Sequence, residues 1–261
     1  MEIIVSIDNT LIKETKKLKE KKHRVEKEEF IVEGFRFVSE AINSDFHVPY
    51  VFVSEAAKEK WEKYNLQEKL KKDTRVFLVK EAALKSICST ETPQGIAAVV
   101  KNKQRLVDKE QGFYLLVDKV QDPGNLGTLI RTAHAAGAVG VILTKGTVDV
   151  YNEKTLRATM GSIFYIPIIE DKELIITKGL IMDGFKLIIS SLDTQDNFYD
   201  VDLKNKVIIA VGNEASGVSE EITEICSNKV KIPMPGGAES LNVAIAGSIM
   251  IYEAVRQRNL K

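Results

Sequence analysis

Short apolar runs alternate along the whole chain with stretches in which apolar positions recur every three or four residues. The runs read as buried strands and the periodic stretches as amphipathic helices. In the first part the pattern predicts a helix over residues 10–21, a strand over 30–32 and a helix over 35–41 carried by Phe35, Val38 and Ile42. A strand over 50–54, a Lys/Glu-rich helix over 56–71, a strand over 75–79, a helix over 81–87 and a strand over 96–100 follow. Residues 101–112 (KNKQRLVDKEQG) have no apolar periodicity and read as a linker. The pattern then restarts with a strand over 113–117, the turn Asp122-Pro123-Gly124, a helix over 126–136 and a strand over 139–143. A helix over 153–160, a strand over 163–168, a helix over 172–182, strands over 186–190 and 207–211, and a closing helix over 241–257 complete it. Strands alternating with helices imply an α/β fold with a mostly parallel sheet covered by helices on both faces. The linker suggests two domains, 1–105 and 106–261.

Composition narrows the class. A chain of 261 residues with 44% hydrophobic and 28% charged positions can bury two modest cores without disulfide or metal staples. No apolar run approaches the length of a bilayer span, and MEIIVSIDNT has no signal-peptide pattern. Cys88 and Cys226 make no disulfide framework, which fits a reducing, cytoplasmic setting. His23, His47 and His134 are scattered without Cys or carboxylate partners, so no metal site is expected, and the lack of a spanning run argues against membrane association.

The formal net charge of +0 does not by itself suggest a nucleic-acid binder, but its distribution is uneven. Residues 1–105 hold 21 Lys/Arg against 17 Asp/Glu, and the remainder holds 16 against 20. The excess is concentrated in residues 13–24 (KETKKLKEKKHR), with seven Lys/Arg and two Glu. Such a run can neutralise several phosphates, and it can equally be a solvated helix face with i,i+4 Glu/Lys pairs.

Three loops of the second domain are rich in Gly, Asn, Ser or Pro, and each follows a strand, where parallel sheets bind their ligands. The first, DKVQDPGNLGTLIR, places Gly124 and Gly127 at a strand-to-helix turn whose exposed amides suit an anion. Arg131, six residues beyond Asn125, could grip a phosphate bidentately or simply lie on the helix surface. The second, AVGNEASGV, is not a dinucleotide fingerprint and puts Glu214 between two glycines. The third, IPMPGGAESLNVAI, offers Ser240 where a helix N-cap is expected and Asn242 in the first helical turn, where Asn is a poor helix former.

Together these loops resemble the three motifs of the SpoU branch of the SPOUT methyltransferases. The first matches as Asn125-x-Gly127-x-x-x-Arg131 and the second as Gly212-x-Glu214-x-x-Gly217. The third matches as Ile232-Pro233-Met234 with Gly236 and then Ser240-Leu241-Asn242-Val243; Ala244 stands where many relatives carry Ser. Upstream, His23-Arg24 and Phe30-Ile31-Val32-Glu33-Gly34-x-Arg36 resemble the start of the ribosomal-protein-like, RNA-binding domain that precedes many SpoU catalytic domains.

The resemblance implies an RNA ribose 2′-O-methyltransferase: a small α/β RNA-binding domain followed by an α/β domain whose C-terminal segment forms a trefoil knot. It implies S-adenosylmethionine held largely by backbone groups of Gly212, Ile232 and Leu241, with Leu143 or Thr144 after the preceding strand. It also implies catalysis by Arg131, Asn125, Glu214, Ser240 and Asn242, and a homodimer built partly through the last helix. RNA would be bound by Lys21, Lys22, Arg24 and Arg36, and the added domain favours ribosomal over transfer RNA. Base-nitrogen methylation on the same scaffold and non-catalytic RNA binding are the alternatives; the second predicts degraded motifs, which are not seen.

Overall fold

The computed structural model describes residues 1–103, 107–108 and 111–259. Within the linker stretch, 104–106 and 109–110 lie outside the described residues, and with them the expected boundary at 105/106. Two compact units result: Met1–Lys103 with Tyr151–Phe164, and Gln104–Val150 with Tyr165–Lys261.

The first unit runs β1 (Glu2–Ile4), α1 (Thr10–Lys17), α2 (Lys21–Lys27), β2 (Glu29–Glu33), α3 (Phe35–Asn43), β3 (Tyr50–Ser54), α4 (Lys58–Lys63), β4 (Arg75–Val79), α5 (Glu81–Ile87) and β5 (Ile96–Lys101). Its sheet has the order β1-β4-β3-β5-β2; β3 is parallel to β4 and antiparallel to β5. Ile12, Leu18, Phe77, Leu84 and Ile87 fill one core cluster.

The helix expected over 10–21 ends at Lys17, and a separate helix begins at Lys21 and runs to Lys27. Leu18 caps α1, and the Arg24 guanidinium donates to the Leu18 and Lys19 carbonyls at 2.8 and 2.7 Å, satisfying acceptors that a continuous helix would have used itself. The helix expected over 56–71 shrinks to α4, anchored by the buried Trp61, because Asn65 adopts φ 49°, a left-handed conformation that no helix continues through.

The second unit runs β6 (Phe113–Val117), α6 (Pro123–Ala135) and β7 (Gly140–Leu143). After α7 (Glu153–Thr159), which packs with the first unit, come β8 (Ile168–Glu170), α8 (Ile175–Met182), β9 (Lys186–Ser190), β10 (Val207–Val211), α9 (Glu220–Glu224), β11 (Asn228–Val230) and α10 (Val243–Asn259). All six strands are parallel, in the order β11-β9-β10-β6-β7-β8. The central strands FYLLV and VIIAV are buried throughout, as strands covered on both faces must be.

The strand expected over 163–168 is instead a 3-10 turn, Ser162–Phe164, with β8 starting at Ile168. Phe164 is drawn into an aromatic cluster with Phe37 and Phe46, each 5.3 Å away between ring centroids. The short elements β1, α9 and β11 were not anticipated, since three to five residues carry too little periodicity. After β10 the chain travels to β11 at the sheet's far edge and returns as α10, which packs on β10 and α6. A Cβ at Gly247 would stand 2.5 Å from Leu129 Cδ2, so a larger residue there would have to displace the Leu129 side chain that α6 packs against α10.

Candidate active site

The three Gly/Asn/Ser-rich loops converge at the carboxyl ends of β6 and β10 and the start of α10. Asp122 caps α6, accepting the Asn125 N–H at 2.7 Å, with Pro123 at the first helical position where its missing N–H is harmless. That fixes the Asn125 side chain at the head of the helix. The Asn125 Nδ2 donates to Glu214 Oε1 at 3.0 Å, and the Gln121 and Asp122 backbone N–H groups donate to the same carboxylate, each at 3.3 Å. From the other side, Asn242 Nδ2 donates to Asn125 Oδ1 at 3.1 Å. Glu214, Asn125 and Asn242 therefore form one directed polar chain linking all three loops.

Glu214 is held as an anion. Desolvation pushes its carboxyl upward, but the Asn125 amide and the surrounding backbone N–H groups outweigh it and leave the pKa below the ordinary carboxylate value. The loop that carries it is closed by paired backbone hydrogen bonds between Asn213 and Gly217, at 2.8 and 2.9 Å. Gly212 must be glycine: a Cβ there would sit 2.1 Å from the Gly217 carbonyl carbon.

The N-cap of α10 is Asn242, not Ser240. Its Oδ1 accepts the Ala244 and Ile245 N–H groups at 2.9 and 3.3 Å, while Val243 opens the helix. Asn is a favoured residue there, so the one side chain serves both the helix and the polar chain. Ser240 is exposed in the preceding loop and makes no hydrogen bond among the described residues.

A cavity of about 600 Å³ opens beside this chain, lined by the loops after β9, β10 and β11. Gly212, Glu214, Ile232, Ser240, Leu241 and Asn242 all line it, so six of the ten positions expected to be catalytic or cofactor-binding meet here. Ser190, Ser191 and Asp193 also line it and were missed, although they follow a parallel strand's carboxyl end, which was signal enough. Leu143 and Thr144 are not part of the lining. The Thr144 hydroxyl donates to the buried Asp118 at 2.7 Å, whose other oxygen accepts the Ser219 N–H at 2.7 Å. Arg131 is exposed on α6 and has no hydrogen-bond or ion-pair partner among the described residues.

A model of the SpoU rRNA methylase family matches residues 112–252, which contain the whole polar chain and its cavity. The chain belongs to the SpoU rRNA methylase family. An MRM3-like substrate-binding domain matches residues 9–98 of this SpoU protein. It is 35% identical to the Bacillus subtilis 23S rRNA (guanosine(2553)-2'-O)-methyltransferase RlmP over 97% of its length and 98% of the relative's. An AdoMet-bound rRNA methyltransferase from Sinorhizobium meliloti superposes with a TM-score of 0.86 at 31% identity, covering 100% of this chain and 99% of that one. The SpoU methyltransferase AviRb from Streptomyces viridochromogenes, solved with AdoMet, gives 0.84 at 28% identity, covering 96% and 98%.

In the N-terminal unit of this SpoU protein, Lys21, Lys22 and Arg36 are exposed, whereas Arg24 is partly buried and committed to the end of α1. Among the described residues no group of three or more His, Cys, Asp and Glu is placed to hold a metal ion. No described helix is long and apolar enough to cross a membrane.

Proposed function

We propose that this SpoU protein transfers a methyl group from S-adenosylmethionine to a ribose 2′-OH of ribosomal RNA in the cytoplasm, as a homodimer. Residues 106–261 carry the chemistry and 1–105 hold the RNA. The observation that carries the reading is the Glu214–Asn125–Asn242 chain at the wall of the 600 Å³ cavity.

The cavity has the volume and mixed lining of a small-molecule site. Apolar Ile189, Val230, Ile232 and Leu241 suit an adenine ring, and Ser190, Ser191, Asp193 and the backbone of the Gly212 loop suit polar groups. S-adenosylmethionine would supply an activated methyl group on a sulfonium. The remaining requirements fall to this chain: to place the hydroxyl near the methyl, to stabilise charge, and to exclude water. Arg131, whose guanidinium has no protein partner among the described residues, is suited to hold the phosphate beside the target ribose through bidentate hydrogen bonds. Glu214 is a poor base, because three donors already stabilise its anion; its part is to orient Asn125. Ser240, whose hydroxyl has no partner among the described residues, is available to the ribose.

Homodimerisation is supported by α10, which is apolar on two faces. Val243, Gly247, Met250 and Ala254 are buried within the protomer, while Ile245 and Tyr252, seven residues apart and so on one helix face, are about half exposed.

Incubating the protein with labelled S-adenosylmethionine and ribosomal RNA, followed by nucleoside mass spectrometry, tests the reaction. A 2′-O-methylnucleoside is expected. Label recovered only on a base nitrogen, or none recovered at all, would sink the reading.

A further inference from the structure

Lys119 sits at the end of β6 with φ 56°, in the left-handed region that a lysine rarely adopts. The surrounding structure enforces it from both sides of the peptide. Its N–H is shared between the Thr144 and Thr147 hydroxyls at 3.2 and 3.1 Å. Those hydroxyls spend their own hydrogens on Asp118 and on the Val117 carbonyl, so their lone pairs are free to accept. Its carbonyl receives the Gln121 and Asn213 side-chain amides at 3.1 and 2.9 Å. The stem runs over Gly146, where an added Cβ would meet Lys119 Cγ at 3.3 Å. The ammonium is only loosely engaged, 4.0 Å from Glu221, with 43% of the side chain exposed. Strain held by this many partners marks a position chosen for where its side chain must point. Glycine would satisfy the backbone without strain, so the lysine itself needs a reason.

We propose that Lys119 is a phosphate-binding residue for the RNA strand, anchored through its carbonyl to Gln121 and Asn213, the chain neighbours of Asp122 and Glu214, with the exposed Lys145 next to Gly146 extending the same track. This rests on the RNA methyltransferase reading above and adds a contact to it. Glu221, 4.0 Å away and itself 76% exposed, keeps the cation nearby while leaving it open to solvent.

The test compares Lys119→Gly, Lys119→Met and Lys119→Arg in the full-length protein, reading thermal midpoint, KM for RNA, kcat and the salt dependence of RNA binding. Lys119→Gly is expected to match or exceed the wild-type midpoint yet raise KM for RNA about tenfold. Its log–log salt slope should shrink by about 1, with kcat at saturating RNA little changed. Lys119→Met should show the same KM and slope, and Lys119→Arg should restore both. A glycine variant with wild-type KM and salt slope would overturn the proposal. So would a Lys119→Met protein that loses thermal midpoint while KM stays put, since that would make the lysine a countercharge to Glu221. Wild-type protein that transfers no methyl to RNA, by contrast, would condemn the functional reading rather than Lys119, whose RNA-binding slopes would still decide its own case.

Discussion

Asn125 and Asn242 each have their amide orientation dictated by their partners: Asn125 must give its N–H to Glu214 and turn its oxygen to Asn242. Removing the Glu214 charge should loosen that alignment, because charge-assisted hydrogen bonds are the stronger ones. Glu214→Gln is expected to cut turnover about a hundredfold, an effect of the size seen when an oriented donor is lost, with the thermal midpoint near wild type; unchanged turnover at saturating RNA would remove Glu214 from the site. The pH dependence follows from the sign of its shift. A carboxyl whose folded pKa lies below the ordinary value stays ionised through neutrality. The Glu214 contribution should therefore be constant at neutral pH and disappear only as pH falls below the ordinary carboxylate range, which a pH profile of kcat reads directly. Arg131→Ala should abolish transfer while leaving S-adenosylmethionine binding close to wild type in calorimetry; parallel loss of both would make the arginine structural.

At the scale of elements, α10 begins where it does because Asn242 caps it, and the same side chain closes the polar chain. These two duties can be separated. Asn242→Ala should lose about 1 kcal/mol of stability along with activity. Asn242→Asp keeps a good cap, and gains from its charge at a helix N-terminus, but cannot donate to Asn125. It is expected to regain the thermal midpoint without regaining turnover. An active Asn242→Asp enzyme would show that the Asn125 contact is dispensable. At Gly212, even alanine forces the 213–217 loop open, so Gly212→Ala should lower both stability and cofactor affinity, measured by melting and calorimetry on the same preparation.

For the whole molecule, the segment Tyr151–Phe164 belongs with the N-terminal unit, where Tyr151 stacks on Phe30 at 4.6 Å and Phe164 joins Phe37 and Phe46. Truncating residues 1–105 would strip that segment of its packing, so point substitutions are the better probe of RNA binding. Lys21→Glu with Lys22→Glu should weaken RNA binding and flatten its salt dependence while leaving S-adenosylmethionine affinity alone. Arg24 is left intact because its loss would also uncap α1. Unchanged affinity and slope would return the lysines to the role of a solvated helix face. Tyr252→Glu, on the exposed face of α10, is expected to yield monomers in sedimentation; a persistent dimer would place the interface elsewhere.

The sequence by itself determined the alternating strands and helices, because continuous apolar runs such as FYLLV and VIIAV and a 3.6-residue period are local properties. It also marked Asn125, Glu214 and Asn242, though only through the joint resemblance of the three loops to the SpoU motifs, since each loop alone reads equally well as an ordinary turn. Only the tertiary structure decided how those three are wired. Nothing local to Glu214 says that its carboxylate caps the 121–122 backbone, and nothing local to Asn242 says that it, rather than Ser240, starts α10. The same holds for Phe164, read as part of a strand but taken into an aromatic cluster built by residues more than a hundred positions earlier. It holds too for Arg24, whose charge suggests RNA and whose guanidinium also closes α1. In each case a local preference yields to a partner distant in sequence, because buried polar groups and large apolar side chains must be satisfied wherever the chain folding brings a partner within reach.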